Sequence, residues 1–532
     1  MPNINYKKTG DIFNQHSYWT KQPIESIIYF LKKYSTTNDT VLDPFCGSGM
    51  TGIGSSLLNL PCILGDISPA CLHISEGYNT KFQLREKKIS NFLNKIEKLV
   101  KNIYLTSCLK CKKNAEIKFE VLGEFYRDEK NNLISDSNEY FLSIKNKSKF
   151  ISKINKRKNT LIFDKHKTIK ICYICSCSKE KKFKRPDQKD LNLEKKIEEK
   201  KISFPNNDFF GEESKRNIKK KITKVHHLYS IKNLYSLNII RKEILKIKDK
   251  TLKKFLLFNF SSILFNCSLM SRYRSYENTS IKMGTYYVPS LIKDNNVLTS
   301  FKRKVLKTYK SNKIVYKNVN KNSVKIRKMD ATDLSGIKTD SIDLIYTDPP
   351  YSDIINYSEL NLIWESWLSL KTNYKNEMIV CKDTDKTLDK YFILFQKFLK
   401  EAGRVLKIKK KMILIFHHPN IEHWSRLQKI IMNSPFKING TNEPYRIISD
   451  NKTSSQHKTN KKTQSFIALI LENKKTIESI KLKSLNNDLI NKVIKLAKNK
   501  NYKSKSEVYD FFINYSLNKF DLKLKNIPNI LI

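Results

Sequence analysis

Four of the chain's 13 glycines, Gly47, Gly49, Gly52 and Gly54, fall within eight residues, where an even scatter over 532 residues would place about 0.2. A short apolar run, Thr40-Val41-Leu42, leads into them, and Met50 to Leu60 follows with Ile53, Leu57 and Leu58 on one helical face. A second strand, Cys62 to Leu64, ends at Gly65-Asp66. Strand, glycine turn, helix and strand make the βαβ layout of a nucleotide-binding half, in which glycine lets the backbone approach a ligand. The sequence therefore points to a doubly wound α/β sheet.

At roughly 150 residues per domain, 532 residues suggest three to four units. With 39% apolar and 29% charged residues the composition is that of folded domains. No run approaches the 18 or so apolar residues a membrane helix needs; Phe255 to Met270 is interrupted by Asn259, Ser261, Ser262, Asn266 and Ser268 and reads as a buried helix. Met1 to Trp19 has no apolar segment behind basic residues, so a cytoplasmic protein without a membrane partner is expected. Lys and Arg outnumber Asp and Glu by 101 to 51. A net charge of +50 suits a polyanion such as nucleic acid. Because the excess is nearly all Lys in a chain also rich in Asn and Ile, AT-rich coding and an acidic small-molecule substrate remain alternatives at this point.

Residues 1–100 read as the first half of the α/β domain, 101–225 as a basic insertion around paired cysteines, and 226–315 as a helical insertion and candidate target-recognition unit. The α/β pattern resumes over 316–472, with strands at Ser323–Met329, Ile342–Tyr346 and Lys411–Phe416, and 473–532 forms a helical, basic extension. The sheet is expected to be split by its insertions.

Two motifs carry the chemistry. Asp43-Pro44-Phe45-Cys46-Gly47-Ser48-Gly49 resembles the first motif of S-adenosylmethionine-dependent DNA amino-methyltransferases. Asp348-Pro349-Pro350-Tyr351, which follows an apolar strand, resembles the fourth. That resemblance implies a Rossmann-like sheet in which Asp43, Pro44, Phe45, Cys46, Gly47 and Gly49 cradle the cofactor's methionine end, the Cys46 thiol itself packing as a structural residue. Asp66, with Ile67, would hold the ribose; its 23-residue offset from Asp43 fits one βαβ step. Asp330 and Ala331, in the exit loop Asp330–Leu334, would meet the adenine. His16-Ser17-Tyr18-Trp19-Thr20-Lys21-Gln22-Pro23, before a helix at Ile24 to Tyr34, resembles the segment closing over the cofactor's amino-acid end, through Lys21 and Pro23.

In the fourth motif the adjacent prolines fix φ and remove two N–H groups. The Asp348 carboxylate and Pro349 carbonyl would accept the two N–H bonds of an exocyclic amine and concentrate electron density on its nitrogen. Tyr351 would stack on a base taken out of the duplex. Cytosine C5 chemistry, which needs a cysteine nucleophile, is disfavoured, since the Pro-Cys pair at Pro61-Cys62 begins the second strand. The helix expected after the motif places Trp364 and Trp367 in the core, with Asn356 and Tyr357 as base-edge candidates. Ser271-Arg272-Tyr273-Arg274-Ser275-Tyr276 interleaves rings with guanidinium groups, as phosphate contact and stacking would use. His417 and His418 read as structural. Glu401 to Lys407 resembles a later sheet motif, with Ile408-Lys409-Lys410 where relatives often have Pro-Gly-Gly.

Ten cysteines in a cytosolic chain argue against a disulfide framework and point to metal binding or catalysis. Cys108 and Cys111, then Cys172 and Cys175, have the paired spacing of a structural zinc tetrahedron, with Cys177 competing as a ligand. The resemblance adds that some family members carry a zinc ribbon here. The expectation is a site-specific DNA methyltransferase acting on adenine N6, with DNA as partner, and with a restriction endonuclease as a partner in systems of this kind. Cytosine N4 methylation, RNA guanine-N2 methylation and a non-catalytic zinc-ribbon DNA-binding protein are the alternatives.

Overall fold

The structure, a computed structural model, describes all residues except 1–2, 7–9, 11, 136–160, 201–202, 275–280, 283, 318, 320–322, 383, 439–444, 450–464, 478–482, 485–486, 500–504, 518 and 523–532. In chain order the strands are β1 (Asn3–Tyr6), β2 (Val41–Asp43), β3 (Cys62–Asp66), β4 (Leu105–Ser107), β5 (Asn114–Arg127), β6 (Leu133–Ile134), β7 (Ile162–Cys175) and β8 (Ser178–Lys184). They continue with β9 (Leu291–Asn295), β10 (Val324–Lys328), β11 (Ile342–Thr347), β12 (Leu406–Phe416), β13 (Phe436–Ile438), β14 (Tyr445–Ser449), β15 (Ser465–Asn473), β16 (Lys483–Ser484) and β17 (Phe520–Asp521), the last two pairing with each other.

The larger sheet is mixed, with the order β10-β3-β2-β11-β12-β15-β14-β1 and β13 beside β15. Its first five strands are mutually parallel. Taken by their order in the chain they lie 3-2-1-4-5, so the winding reverses between β2 and β11. In an open sheet of this kind the crevice at the carboxyl ends of those two strands is the ligand position. β15 runs antiparallel to both β12 and β14.

Both faces of this sheet are covered, which is why its strands read as apolar runs and not as alternation. Along β12, Ile413 and Ile415 enter one core and Met412, Leu414 and Phe416 the other. The first core also takes Ile27 and Phe30 from the helix Ile24–Tyr34, whose bounds match the sequence expectation. The second takes Phe395 and Leu399 from the helix Leu388–Val405. Each fully buried side chain of this size contributes roughly 1.5–3 kcal/mol.

Two expectations are corrected here. The strand expected at Lys411–Phe416 begins at Leu406, and Ile408-Lys409-Lys410 is not a turn. Ile342 pairs with Leu406 but Leu344 with Lys411, so the intervening residues bulge, with Lys409 at a left-handed φ of 63°. The basic insertion, weak in helical periodicity, is a six-stranded antiparallel sheet in which β5 pairs with β7 and also with β9. β9 comes from the stretch read as helical, so the stretches 101–225 and 226–315 share one sheet. That second stretch also holds the helices Ile231–Leu245, Lys250–Ile263 and Val297–Val315. Among the described residues no helix is long and apolar enough to cross a membrane.

Candidate active site

The β2/β11 crevice holds a pocket of about 1010 Å³, open to solvent, which brings together Asp43, Pro44, Phe45, Cys46, Gly47, Asp66, Ile67, Asp330, Ala331, Asp348 and Pro350. Segments some 280 residues apart in the chain thus meet at one place, because β2, β3, β10 and β11 are neighbours.

The loop after β2 turns on two left-handed glycines, Gly47 at φ 48° and Gly49 at φ 77°. A Cβ on Gly47 would lie 2.9 Å from the Tyr18 ring, and one on Gly49 2.3 Å from Ser75 Oγ. The two glycines therefore differ in role. Gly47 faces the pocket, whereas Gly49, expected beside the cofactor, lets the loop sit against the helix Pro69–Asn79, whose Asn79 Nδ2 donates to the Gly49 carbonyl at 2.8 Å.

Asp43 is buried and accepts from Thr51 Oγ1 (2.6 Å), Phe45 N–H (3.2 Å) and Thr347 Oγ1 (3.3 Å). Burial pushes its carboxyl up to about 7. Asp66 closes the loop from the β3 side: Gly47 N–H donates to Oδ2 (3.0 Å) and Ser68 N–H to Oδ1 (2.9 Å). Burial pushes Asp66 up to about 6 against those two bonds. Asp330 accepts from Thr332 N–H and Oγ1 on one oxygen and from Asn376 Nδ2 on the other, at 2.6 Å.

Asp348 is held by Gln22 Nε2, which donates to Oδ2 at 2.7 Å, and by the Tyr351 hydroxyl, which donates to Oδ1. Tyr391 O–H donates to the Pro350 carbonyl at 2.8 Å. Tyr351 does not offer a ring face to a base as expected. It is 6% exposed, packed against Phe416, His417 and Phe466. Pro349 is buried and does not line the pocket.

The upstream segment closes the pocket through Tyr18, Thr20 and Gln22, not through Lys21 and Pro23. Lys21 Nζ turns away to the carbonyls of Phe13 and His16, and Pro23 is buried at the start of the helix Ile24–Tyr34. Three bonds tie this segment to the far wall. Gln22 meets Asp348, Thr20 Oγ1 lies 2.7 Å from Tyr357 O–H, and Trp19 Nε1 donates to Asn361 Oδ1 at 2.9 Å. Tyr357 lines the pocket and Asn356 does not, while Trp364 and Trp367 are fully buried as expected. Sequence reasoning missed Thr372, Asn376, Glu377 and Met378, which form another wall in a segment without periodicity or motif. Gln22 had a signal, since it sits between two residues already singled out.

In the insertion, Cys108, Cys111, Cys175 and Cys177 have their sulfur atoms within 4.8 Å of one another. Cys108 and Cys177 are 3.7 Å apart and Cys111 and Cys175 3.4 Å, near the edge of a tetrahedron with metal–sulfur bonds of about 2.3 Å. Backbone N–H donation from Cys111 holds the Cys108 thiol down at about 6, toward the thiolate a metal binds. Cys172, expected as the fourth ligand, is excluded. It lies on β7 opposite Phe119 and Phe183, three residues from Cys175, and an odd spacing on a strand puts two side chains on opposite faces. Cys177 reaches the cluster instead from the tight turn into β8.

The Cys172 face of this sheet is aromatic and basic. Lys170 lies over Phe183 (4.5 Å) and Lys293 over Phe119 (4.6 Å), with Tyr273 beside Phe119 and Phe183 42% exposed. Ser275 and Tyr276 of the Arg/Tyr motif lie outside the described residues. On the opposite face Lys232 pairs with Glu120 at 2.8 Å in the core.

Residues 1–77 match the DNA methylase family N6_N4_Mtase. A curated relative, Type II methyltransferase M.MjaII of Methanocaldococcus jannaschii, is 30% identical over 99 residues, covering 18% of this chain and 19% of the relative. The chain thus spans about a fifth of the length of that relative. A solved structure described as "Crystal Structure of PH0851" aligns over 33% of this chain and 40% of its own, at 16% identity and a TM-score of 0.18.

Proposed function

We propose, from the match of residues 1–77 to the N6_N4_Mtase DNA methylase family, that the chain transfers a methyl group from S-adenosylmethionine to the exocyclic amino group of a flipped DNA base, adenine N6 in the first place. The observation that carries this reading is the juxtaposition of Asp348 with the Asp43–Gly47 loop and Asp66 in one pocket at the sheet's reversal point. The 3-2-1-4-5 order supports a Rossmann-like sheet.

S-adenosylmethionine supplies an electrophilic methyl group on a sulfonium. Asp43 would favour its cationic end when ionised, Asp66 would accept ribose hydroxyls in place of the Gly47 N–H, and Asp330 with Ala331 would meet the adenine. Gln22 and Tyr351 fix the Asp348 carboxylate, which accepts an amino N–H of the base. The nitrogen lone pair would then form the N–C bond as the C–S bond breaks, the bonding pair staying on the sulfur of the departing thioether and the extra proton on nitrogen passing to water. A tyrosine buried behind Asp348 orients it, so stacking on the flipped base falls to the half-buried ring of Tyr357 at the pocket itself.

An aspartate at the head of the tetrapeptide favours adenine over cytosine N4. Zinc held by Cys108, Cys111, Cys175 and Cys177 is structural, since four thiolates leave no open position. The Lys170, Lys293, Phe119 and Phe183 face supports a nucleic-acid partner. Mapping of methylated bases in DNA from cells expressing the protein tests the reading. N6-methyladenine at a short recurrent sequence supports it, and DNA without added methylation refutes it.

A further inference from the structure

The two residues after the tetrapeptide, Ser352 and Asp353, are gripped from the far end of β12. Ser352 adopts a left-handed φ of 58°, unusual for a residue with a Cβ, and is 1% exposed. His423 Nε2, from the helix Ile421–Met432, lies 3.0 Å from Ser352 Oγ. Val380 N–H donates to the Ser352 carbonyl at 3.1 Å. His418, two residues past β12, has its tautomer fixed: Asn420 N–H donates to Nδ1 at 3.0 Å, so Nε2 carries the hydrogen and donates to Asp353 Oδ1, also at 3.0 Å. Trp424 Nε1 holds the His418 carbonyl at 2.9 Å. The two imidazoles stack at 3.4 Å between centroids and 18° between planes.

Three ligand-type side chains within 4.8 Å of one another invite a metal reading. The stack argues against it. Lone pairs in two nearly parallel ring planes do not converge on one ion. What the pair does reach are the side chains of Ser352 and Asp353, the two residues directly after the tetrapeptide.

We propose that His418 and His423 are positioning residues, a stacked clamp that holds Ser352 and Asp353 and thereby fixes the Asp348–Tyr351 loop for methyl transfer; this rests on the function proposed above. The clamp works with the His423 ring neutral. His423 is 6% exposed, and its Nδ1 has no partner among the described residues, so charging the ring would bury an unsatisfied N–H against a second imidazole. Burial, then His418, pushes His423 down to about 4. The other charged or titratable groups around it are Asp353, which favours the charged form, Arg426, which opposes it, and Tyr391, Asp389 and Glu422 on the flanking helices.

Steady-state methylation of DNA by the full chain tests the clamp with three proteins: wild type, His423→Phe and His423→Gln. Phenylalanine keeps the stack and removes the bond to Ser352; glutamine can restore it. The expected result for His423→Phe is a fall in kcat approaching about 10²-fold, the scale of a misplaced reacting group, with KM for DNA and the cofactor's Kd unchanged. His423→Gln recovers most of kcat and loses the fall in activity on the acid side of the wild-type profile. An active wild type with an unaffected His423→Phe overturns the clamp alone. So does a variant that loses kcat and cofactor affinity together without recovery in His423→Gln. A wild type that transfers no methyl to DNA overturns the proposed function, and the clamp with it.

Discussion

At the scale of single residues, the pocket sorts its carboxylates by partner. Asp348 is held by the side-chain donors Gln22 and Tyr351, whereas Asp43 and Asp66 accept from backbone N–H groups of the glycine loop. Asp348→Ala should therefore lower methyl transfer by about 10³-fold or more while calorimetry finds the Kd for S-adenosylmethionine within about 2-fold of wild type. Parallel loss of both would place Asp348 in cofactor binding instead. Asp43 gives a pH test. A carboxyl raised to about 7 by burial stabilises the fold in its neutral form, so its contribution is present below the unfolded value near 4 and is lost as pH rises through about 7. A cationic cofactor end needs the ionised form. Its affinity should therefore rise from pH 6 to pH 7.5 in the wild type and rise less in Asp43→Asn, where Asp66 alone of the two still ionises in that range, as titration calorimetry at the two pH values would show.

At the scale of elements, the glycine turn and the cysteine hairpin show what spacing conveys and what it hides. The motif Asp43 to Gly49 and the helix after it were legible because the glycine density has a single steric meaning. That Gly49 serves the contact with Ser75 and Asn79 was not, since it depends on a helix 20 residues later. Both substitutions should cost about 1–3 kcal/mol from φ; Gly47→Val should in addition weaken cofactor binding by about 10²-fold or more, while Gly49→Val should lose further stability from overlap with Ser75 and Asn79 and melt lower than Gly47→Val. Comparable melting temperatures for the two variants would contradict that division. Among the cysteines, Cys-x-x-Cys at 172 and 175 looked like a knuckle, but a strand's alternation sends Cys172 to the other face. Purified protein should hold about one zinc per chain. Cys177→Ser should lose it and Cys172→Ser keep it by elemental analysis, and the reverse result would restore the sequence expectation.

At the scale of the whole molecule, the parallel core of the sheet was readable from apolar runs ending in Asp43, Asp66 and Asp348, because buried parallel strands announce themselves by composition. The insertion was not, since β5, β7 and β8 alternate Lys with Ile and Phe on a sheet half open to solvent, which reads as weak periodicity of any kind. Its tie to the catalytic half escaped sequence reasoning for a further reason. Ser214 N–H donates to Glu359 Oε1 at 2.7 Å, and Tyr286 O–H donates to the Glu359 carbonyl, contacts that link residues 73 and 145 positions apart. The central claim concerns one bond, from a sulfonium methyl to an exocyclic nitrogen of DNA. The direct measurement is transfer of tritiated methyl from S-adenosylmethionine to duplex DNA and, in parallel, to tRNA, followed by hydrolysis to nucleosides and chromatography. Label confined to DNA and eluting as N6-methyladenosine's deoxy form is the predicted result; label on tRNA alone, or none on either, would contradict it.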